Sequence, residues 1–380
     1  MLLVTGMKTH QENYAPLFAA DPRCRVIAVT DELDIPDQRA EWNRQLASEM
    51  NIPYISDLGE ALERDDVDIV SVCADHERRG QVAVRCAEAG KHLYLDKPIA
   101  CNIADADAVV SAVETAGVRS HTFSFIHYPW AQAAKRSVDA GAVGEIIALH
   151  SDVMFAKGHA GTAPLGKPRK QEPYPKRFTF VDSKRELHTT GVYAIGLIRW
   201  LTGAEVRKVF CITANYFFAE HVRNDVEDFA VMTLTLDGGI TATIACGRIG
   251  WTSHPAGGNN RMRIIGTEGS LIMDAHKPRI EVYSDEPPWT PPSISPTDPM
   301  SFWKSTQAET GTKTKKSWIP LYENGESAND ASRFIDCIES GRESEMSAKD
   351  GAAVVEVLMA GYISAAEGSV VSLPLPRQMI

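Results

Sequence analysis

In Ala89-Gly-Lys-His-Leu-Tyr-Leu-Asp-Lys-Pro-Ile-Ala100, a short apolar strand, His92–Leu95, runs into two opposite charges and a proline. Ligands of parallel sheets collect at the carboxyl ends of the strands, so Lys97 stands where chemistry is expected, with Pro98 shaping the turn. Toward the N-terminus the same pattern repeats. Leu2–Thr5, Arg25–Thr30 and Asp68–Cys73 are strand candidates, separated by helical runs carrying Tyr14, Leu17 and Phe18, then Trp42, Leu46 and Met50. Beyond Ala100, Asn102 with Asp105 three residues on is an N-cap pair opening a helix, and Val118–Phe125 closes the series. Strands that are apolar almost throughout, alternating with helices, predict a parallel sheet covered on both faces, the α/β class.

The rhythm changes after about residue 140. Glu145–Phe155, Glu205–Phe217, Val226–Leu236, Gly239–Cys246, Arg261–Ile265, Ser270–Asp274 and Arg279–Tyr283 are strand candidates, with Asp237-Gly238 and Thr267-Glu268-Gly269 where hairpin turns are needed. The alternation in Val231–Leu236 predicts an antiparallel sheet with one covered face. Helices are expected near 128–140, 188–202, 328–340 and 347–366. Two stretches fit no element: 156–177, rich in glycine, proline and cations (Lys157, Lys167, Arg169, Lys170, Lys176, Arg177), and the proline-dense 286–299.

Composition bounds the rest. A chain of 380 residues predicts two domains, and 44% hydrophobic with 23% charged residues is ordinary for a globular protein. No apolar run approaches the length of a membrane span, and the first residues read as a strand rather than a signal peptide. The net charge of −11 disfavours nucleic acid as a partner. The 7 cysteines are widely spaced with no C-x-x-C, which predicts neither a disulfide frame nor a cysteine zinc site and makes a reducing cytoplasm the default.

A dinucleotide-binding turn of the form G-x-G-x-x-G belongs after the first strand. Here it is Gly6-Met-Lys-Thr-His-Gln11, so Gly6 matches while Lys8 and Gln11 take the other two glycine positions. A left-handed non-glycine residue costs roughly 1–2 kcal/mol. A micromolar cofactor is held by about 8 kcal/mol, so the losses weaken binding without abolishing it. Gly6, Lys8 and Thr9 are candidate cofactor contacts, Lys8 by offering charge to a pyrophosphate at the helix N-terminus. Asp31, closing the second strand, is placed to accept the adenosine ribose hydroxyls and to repel a 2′-phosphate, which favours NAD over NADP.

The segment around Lys97 resembles the E-K-P segment of the glucose–fructose oxidoreductase/inositol dehydrogenase (Gfo/Idh/MocA) family. Pro16-Leu17, Ala140–Ile146, Gly191–Ile195 through Arg199–Gly203, Ile265–Leu271 and Pro374–Pro376 also fit, in order along the whole chain. The resemblance implies a Rossmann-type domain, taken as residues 1–122, and a substrate-binding and oligomerisation domain with a large, open, mostly antiparallel sheet, 123–380. It also implies NAD(P)-linked oxidation of a sugar, sugar acid or cyclitol hydroxyl by a homodimer or homotetramer. Three positions depart from the family. The glycine turn is altered, the family's Glu before Lys-Pro is Asp96, and the D-x-x-x-H pair of the catalytic helix becomes Thr189 and Tyr193.

Oxidising a secondary alcohol needs a hydride acceptor and a group that takes the hydroxyl proton. Lys97 serves as that base if burial and a neighbouring positive charge lower its pKa. Asp96 orients it or touches the cofactor. Thr189 and Tyr193, spaced i, i+4, share a helix face that the resemblance points at the substrate, with Tyr193 able to relay a proton. His188 is a candidate replacement for the missing family base, His127 a candidate substrate contact, and Asp75-His76 a pair beside the cofactor. The cations of 156–177 suit an anionic sugar. No His/Asp/Glu spacing indicates a metal. Two alternatives stay open: an NAD-retaining glycoside hydrolase or lyase working by transient oxidation, and a cofactor-impaired sugar-binding member of the family.

Overall fold

The computed structural model describes residues 1–155, 169–180, 182–249, 259–275, 279–284, 315–320 and 330–377. The first half is a strand–helix alternation: β1 (Leu2–Val4), α1 (Gln11–Ala20), β2 (Ala28–Thr30), α2 (Asp37–Glu49), β3 (Tyr54–Ile55), α3 (Leu58–Leu62), β4 (Ile69–Val72), α4 (His76–Glu88), β5 (His92–Leu95), α5 (Ile103–Ala116) and β6 (Ser120–Thr122). The six strands form one sheet in the order β3-β2-β1-β4-β5-β6, every pairing parallel. Leu2, Leu3, Val4, Val70, Val72, Leu93 and Leu95 are fully buried, as strands covered on both faces require. The Asn102 side chain accepts from the Asp105 amide and caps α5. On α1, Tyr14 and Phe18 are buried while Leu17 is 36% exposed, so the core stripe is narrower than the sequence spacing suggests.

The second half contains α6 (Pro129–Asp139), β7 (Ile146–Phe155), a single π-helical turn (Leu187–Gly191) continuing into α7 (Val192–Thr202), β8 (Val206–Ala214), α8 (Ala219–Asn224), β9 (Phe229–Leu236), β10 (Thr241–Arg248), β11 (Asn259–Gly266), β12 (Gly269–Asp274), β13 (Arg279–Ser284) and β14 (Lys315–Pro320). Then come α9 (Asp330–Ser340), α10 (Ala348–Glu367) and β15 (Val371–Ser372). These strands make a nine-stranded sheet, β14-β13-β12-β11-β7-β10-β9-β8-β15, antiparallel except for β7 beside β10. Along β9, Ala230, Met232, Leu234 and Leu236 are buried, the alternation expected of a sheet covered on one face. The β9–β10 turn runs through Gly238 at φ +73°, a conformation that favours glycine.

The chain then returns to the first sheet. α9 packs on α1, while α10 packs on α5 and β6 on one side and on β8 and α7 on the other. The fit is close at Gly351, where an added Cβ would lie 2.7 Å from the Thr122 hydroxyl and 2.8 Å from Ile99. A division of the chain at residue 122 therefore leaves its last helices shared between the two sheets. The proline-dense stretch 286–299 and the first part of the 156–177 loop lie outside the described residues. Among the described residues, no helix is long and apolar enough to cross a membrane.

Candidate active site

Lys97 follows the carboxyl end of β5, with the Lys97–Pro98 peptide cis. It is 5% exposed. Its ammonium donates to the Thr189 carbonyl oxygen at 2.6 Å and lies 4.2 Å from the centre of the Tyr193 ring. Burial pushes the amine down to about 7, against the pull of Asp96 and with the help of the Arg79 and Lys184 charges. At neutral pH about half of such amines are uncharged, as a proton acceptor must be. Tyr193 is buried, stacked face to face on Phe125 with 4.0 Å between ring centres, and burial pushes its phenol well above the usual range.

Thr189 and Tyr193 thus both meet Lys97, but Thr189 does so through its backbone carbonyl. The cause is the π-helical turn over Leu187–Gly191, a winding often found at functional sites. The Thr189 hydroxyl donates to Glu186 at 2.8 Å. Glu186 is buried. Burial would raise its pKa, yet His221, Arg248 at 2.9 Å and Thr189 hold the carboxylate ionised. The acid lacking at 189 is present three residues earlier.

Two expected histidines are placed differently from the sequence reading. His188 is fully buried, with its ring 4.3 Å from Phe178 and 5.3 Å from His76. Burial pushes it down to about 3, so it is a poor proton acceptor at neutral pH. His127 meets Asp330 at the start of α9, 2.6 Å from its carboxylate. Burial opposes its charge, but Asp330 and Glu345 outweigh it and raise His127 to about 9. Asp330 also accepts from the Tyr94 hydroxyl at 2.6 Å and pairs with His121 at 2.9 Å. Sequence spacing gave no hint of this group, whose ligand-type atoms all lie within 4.8 Å of one another. Ser344 completes it at His121, so its hydrogen bonds close among protein groups and tie α9 to the first sheet.

The carboxyl edge of the parallel sheet carries the remaining candidates. An added Cβ on Gly6 would lie 2.7 Å from the Asn43 Cα and 2.8 Å from the Trp42 carbonyl, so only glycine allows α2 to approach. Lys8 takes φ +63°, with its amide donating to Glu12 at 3.1 Å, and the Thr9 hydroxyl donates to the Gly6 carbonyl at 2.7 Å. Gln11 is fully buried and accepts from the Ser71 hydroxyl at 2.9 Å, filling the space that a third glycine would leave. Asp31 is 3% exposed and accepts from the Asn43 side chain at 2.9 Å; burial raises its pKa. Asp75 pairs with Arg39 at 3.3 Å across the mouth of the turn. His76 is buried and held well below the usual histidine range, chiefly by burial. The buried Gln11 Nε2, His76 Nδ1 and His188 Nδ1 lack a hydrogen-bond partner among the described residues, and polar atoms left open at this edge fit a polar ligand such as a dinucleotide.

Asp96 does not reach outward. It accepts from Tyr14 and pairs with His10 and Arg79, each at 2.8 Å. Burial works against its charge, but His10 and Arg79 hold it well below the usual carboxylate range. Arg79 and Glu186 are the site residues that sequence reasoning missed. Arg79 had a signal, since it shares the buried face of α4 with Val82, Ala83 and Cys86, where a cation is out of place unless paired. The loop cation Arg169 likewise serves the interior, lying 3.6 Å from the buried Glu227.

Residues 2–124 match the oxidoreductase family with an NAD-binding Rossmann fold, and residues 131–272 match the GFO/IDH/MocA C-terminal domain. The chain belongs to the Gfo/Idh/MocA family of oxidoreductases, and is a dehydrogenase acting on CH–OH donors. It is 27% identical over 262 residues to the scyllo-inositol 2-dehydrogenase (NAD(+)) of Bacillus subtilis (strain 168), covering 68% of each chain. It is 24% identical over 320 residues to the D-apiose dehydrogenase of Paraburkholderia graminis, covering 82% of this chain and 74% of that one. Among solved structures, levoglucosan dehydrogenase in complex with NADH and L-sorbose superposes with a TM-score of 0.71 at 20% identity, covering 98% of both chains.

Proposed function

We propose that this protein oxidises a secondary hydroxyl of a sugar, sugar acid or cyclitol with NAD, and that Lys97 takes the hydroxyl proton. The observation that carries the reading is the buried Lys97 amine, near neutrality in charge and fixed between the Thr189 carbonyl and the Tyr193 ring. Bound nicotinamide supplies the hydride acceptor. The residues assigned to hold the dinucleotide are Gly6, Lys8, Thr9, Asp31, Asp75, His76 and the Asp96–Pro98 turn. Asp31, at the end of β2, favours a ribose bearing free hydroxyls over a 2′-phosphate.

Around the reacting carbon, Lys97 and Tyr193 divide the work, with the Thr189 carbonyl holding the amine. The uncharged amine accepts the proton as hydride leaves. The Phe125–Tyr193 stack excludes water from one side of Lys97 and stabilises the ammonium that forms, through its ring face. Tyr193 keeps its own proton and can donate to a substrate hydroxyl. The outer face of the second sheet exposes Ile147, Ile212 and Val231, with Ile212 and Val231 opposite one another in register. This supports a homodimer or homotetramer, to be measured by sedimentation.

The test is a titration with NADH and NADPH, followed by energy transfer from the 7 tryptophans, and then a screen of sugars and cyclitols. NADH binds more tightly, and Lys97→Ala loses turnover while its NADH affinity stays within about tenfold, or 1.4 kcal/mol. Normal turnover in that variant sinks the assignment.

A further inference from the structure

Arg79 is 2% exposed, one turn into α4, and each of its three nitrogens donates to the loop after β4 or to the turn that holds Lys97. Its Nε donates to the Ala74 carbonyl at 3.1 Å, past the end of β4. One terminal nitrogen donates to the Pro98 carbonyl at 2.7 Å and the other to the Asp96 carboxylate at 2.8 Å. The residues before and after Lys97 are therefore both bound by one planar guanidinium, a geometry that an ammonium cannot reproduce. We propose that Arg79 is the positioning residue of this site, clamping the turn on both sides of Lys97 and balancing the Asp96 charge so that the Lys97 amine stays free to accept a proton.

The electrostatics follow from the same contacts. The charged groups facing Lys97 are Asp96 from its own turn, Arg79 from α4, and Lys184 and Glu186 from the segment entering the π-helical turn. Asp96 alone would hold Lys97 as a cation. Arg79 shares that carboxylate with His10 and Tyr14, and its own charge opposes a second cation beside it. Removing Arg79 raises the protonation midpoint of Lys97. Removing the Asp96 charge lowers it. Opposite signs follow from the two charges, and Arg79→Lys, which keeps the charge without the fork, separates positioning from charge.

This inference rests on Lys97 being the proton acceptor, so the test reads the amine directly, without substrate. Lys97 in the intact protein is labelled with trace acetic anhydride across pH 5–11, and its peptide is quantified by mass spectrometry. A midpoint near 7 in the wild type supports the proton-acceptor reading, and one near 10.5 rejects it. Arg79→Gln is expected to raise the midpoint by a unit or more, leaving at most about one-fifth as much free amine at pH 7. Asp96→Asn is expected to lower it. Arg79→Lys keeps charge without the fork, so the midpoint stays near that of the wild type while turnover of the substrate found by screening falls at least tenfold. Should Arg79→Gln fail to fold, the other two variants decide. An unmoved midpoint in Arg79→Gln, a midpoint in Asp96→Asn that is unmoved or raised, or full turnover in Arg79→Lys overturns the proposal.

Discussion

Replacing Lys97 by methionine keeps a long flexible side chain and removes the amine. In the folded protein that amine titrates near 7, and in the unfolded chain near 10.5. Between those values the unfolded chain binds more protons, so the folded state is penalised, and the penalty fades as pH rises. It amounts to about 4 kcal/mol at pH 7 and about 2 kcal/mol at pH 9. Against this, the methionine variant gives up the hydrogen bond to Thr189 and the contact with the Tyr193 ring, roughly 1–2 kcal/mol together. Lys97→Met is therefore expected to be more stable than the wild type by about 2–3 kcal/mol at pH 7, and the advantage should shrink by about 2 kcal/mol at pH 9. Urea unfolding of both proteins at pH 7, 8 and 9, followed by tryptophan fluorescence and far-UV circular dichroism, measures the gap. Taking the difference between variants cancels the titrating groups that do not interact with Lys97. A gap that stays constant from pH 7 to 9, or a wild type more stable throughout, refutes the claim that Lys97 is held near neutrality by its surroundings.

His127 carries the opposite sign. Its folded value is raised to about 9 by Asp330, so its contribution is fully present below about pH 6.5 and is lost as pH climbs through 9. His127→Gln should cost about 2–3 kcal/mol at pH 7 and under about 1 kcal/mol at pH 9 in the same unfolding series; a cost that grows with pH would contradict the ion pair. Gly6→Ala forces a Cβ onto the backbone of α2, 2.7 Å from the Asn43 Cα. It should cost about 1–3 kcal/mol and weaken NADH binding; an unchanged urea midpoint would show that α2 yields freely.

Much of the fold was legible because its signals are local. β5 occupies His92–Leu95 as read, and the Asn102–Asp105 cap opens α5. What escaped depends on partners distant in sequence. β3 is two residues long, Tyr54–Ile55, too short to show a period, and the parallel register of β7 with β10 is written in neither strand alone. The site divides in the same way. Lys97 and Tyr193 were placed by position at a strand end and on a helix face. The partners of His127 and His188 were not legible, because a histidine's state is set by what surrounds its ring: Asp330, more than 200 residues away, in one case, and Phe178 and the Ala100 carbonyl in the other.

The departures from the family pattern share one physical solution. At the glycine turn, Lys8 accepts the left-handed backbone at its modest cost, and Gln11 turns the missing space into a buried hydrogen bond with Ser71. On the catalytic helix, Thr189 replaces an acid but binds Glu186 one turn earlier, so a carboxylate still faces this side of the Lys97 pocket. Before Lys97, the shorter Asp96 is met by Arg79 reaching out from α4. In each case the altered residue or a side chain elsewhere restores what was lost, either a filled volume or a balanced charge. The requirement that persists is therefore the environment of the Lys97 amine, dry and poised between one carboxylate and one guanidinium. Motif letters record that environment only indirectly, which is why a chain with an altered glycine turn and an altered acid can still bury an amine whose pKa is lowered to about 7.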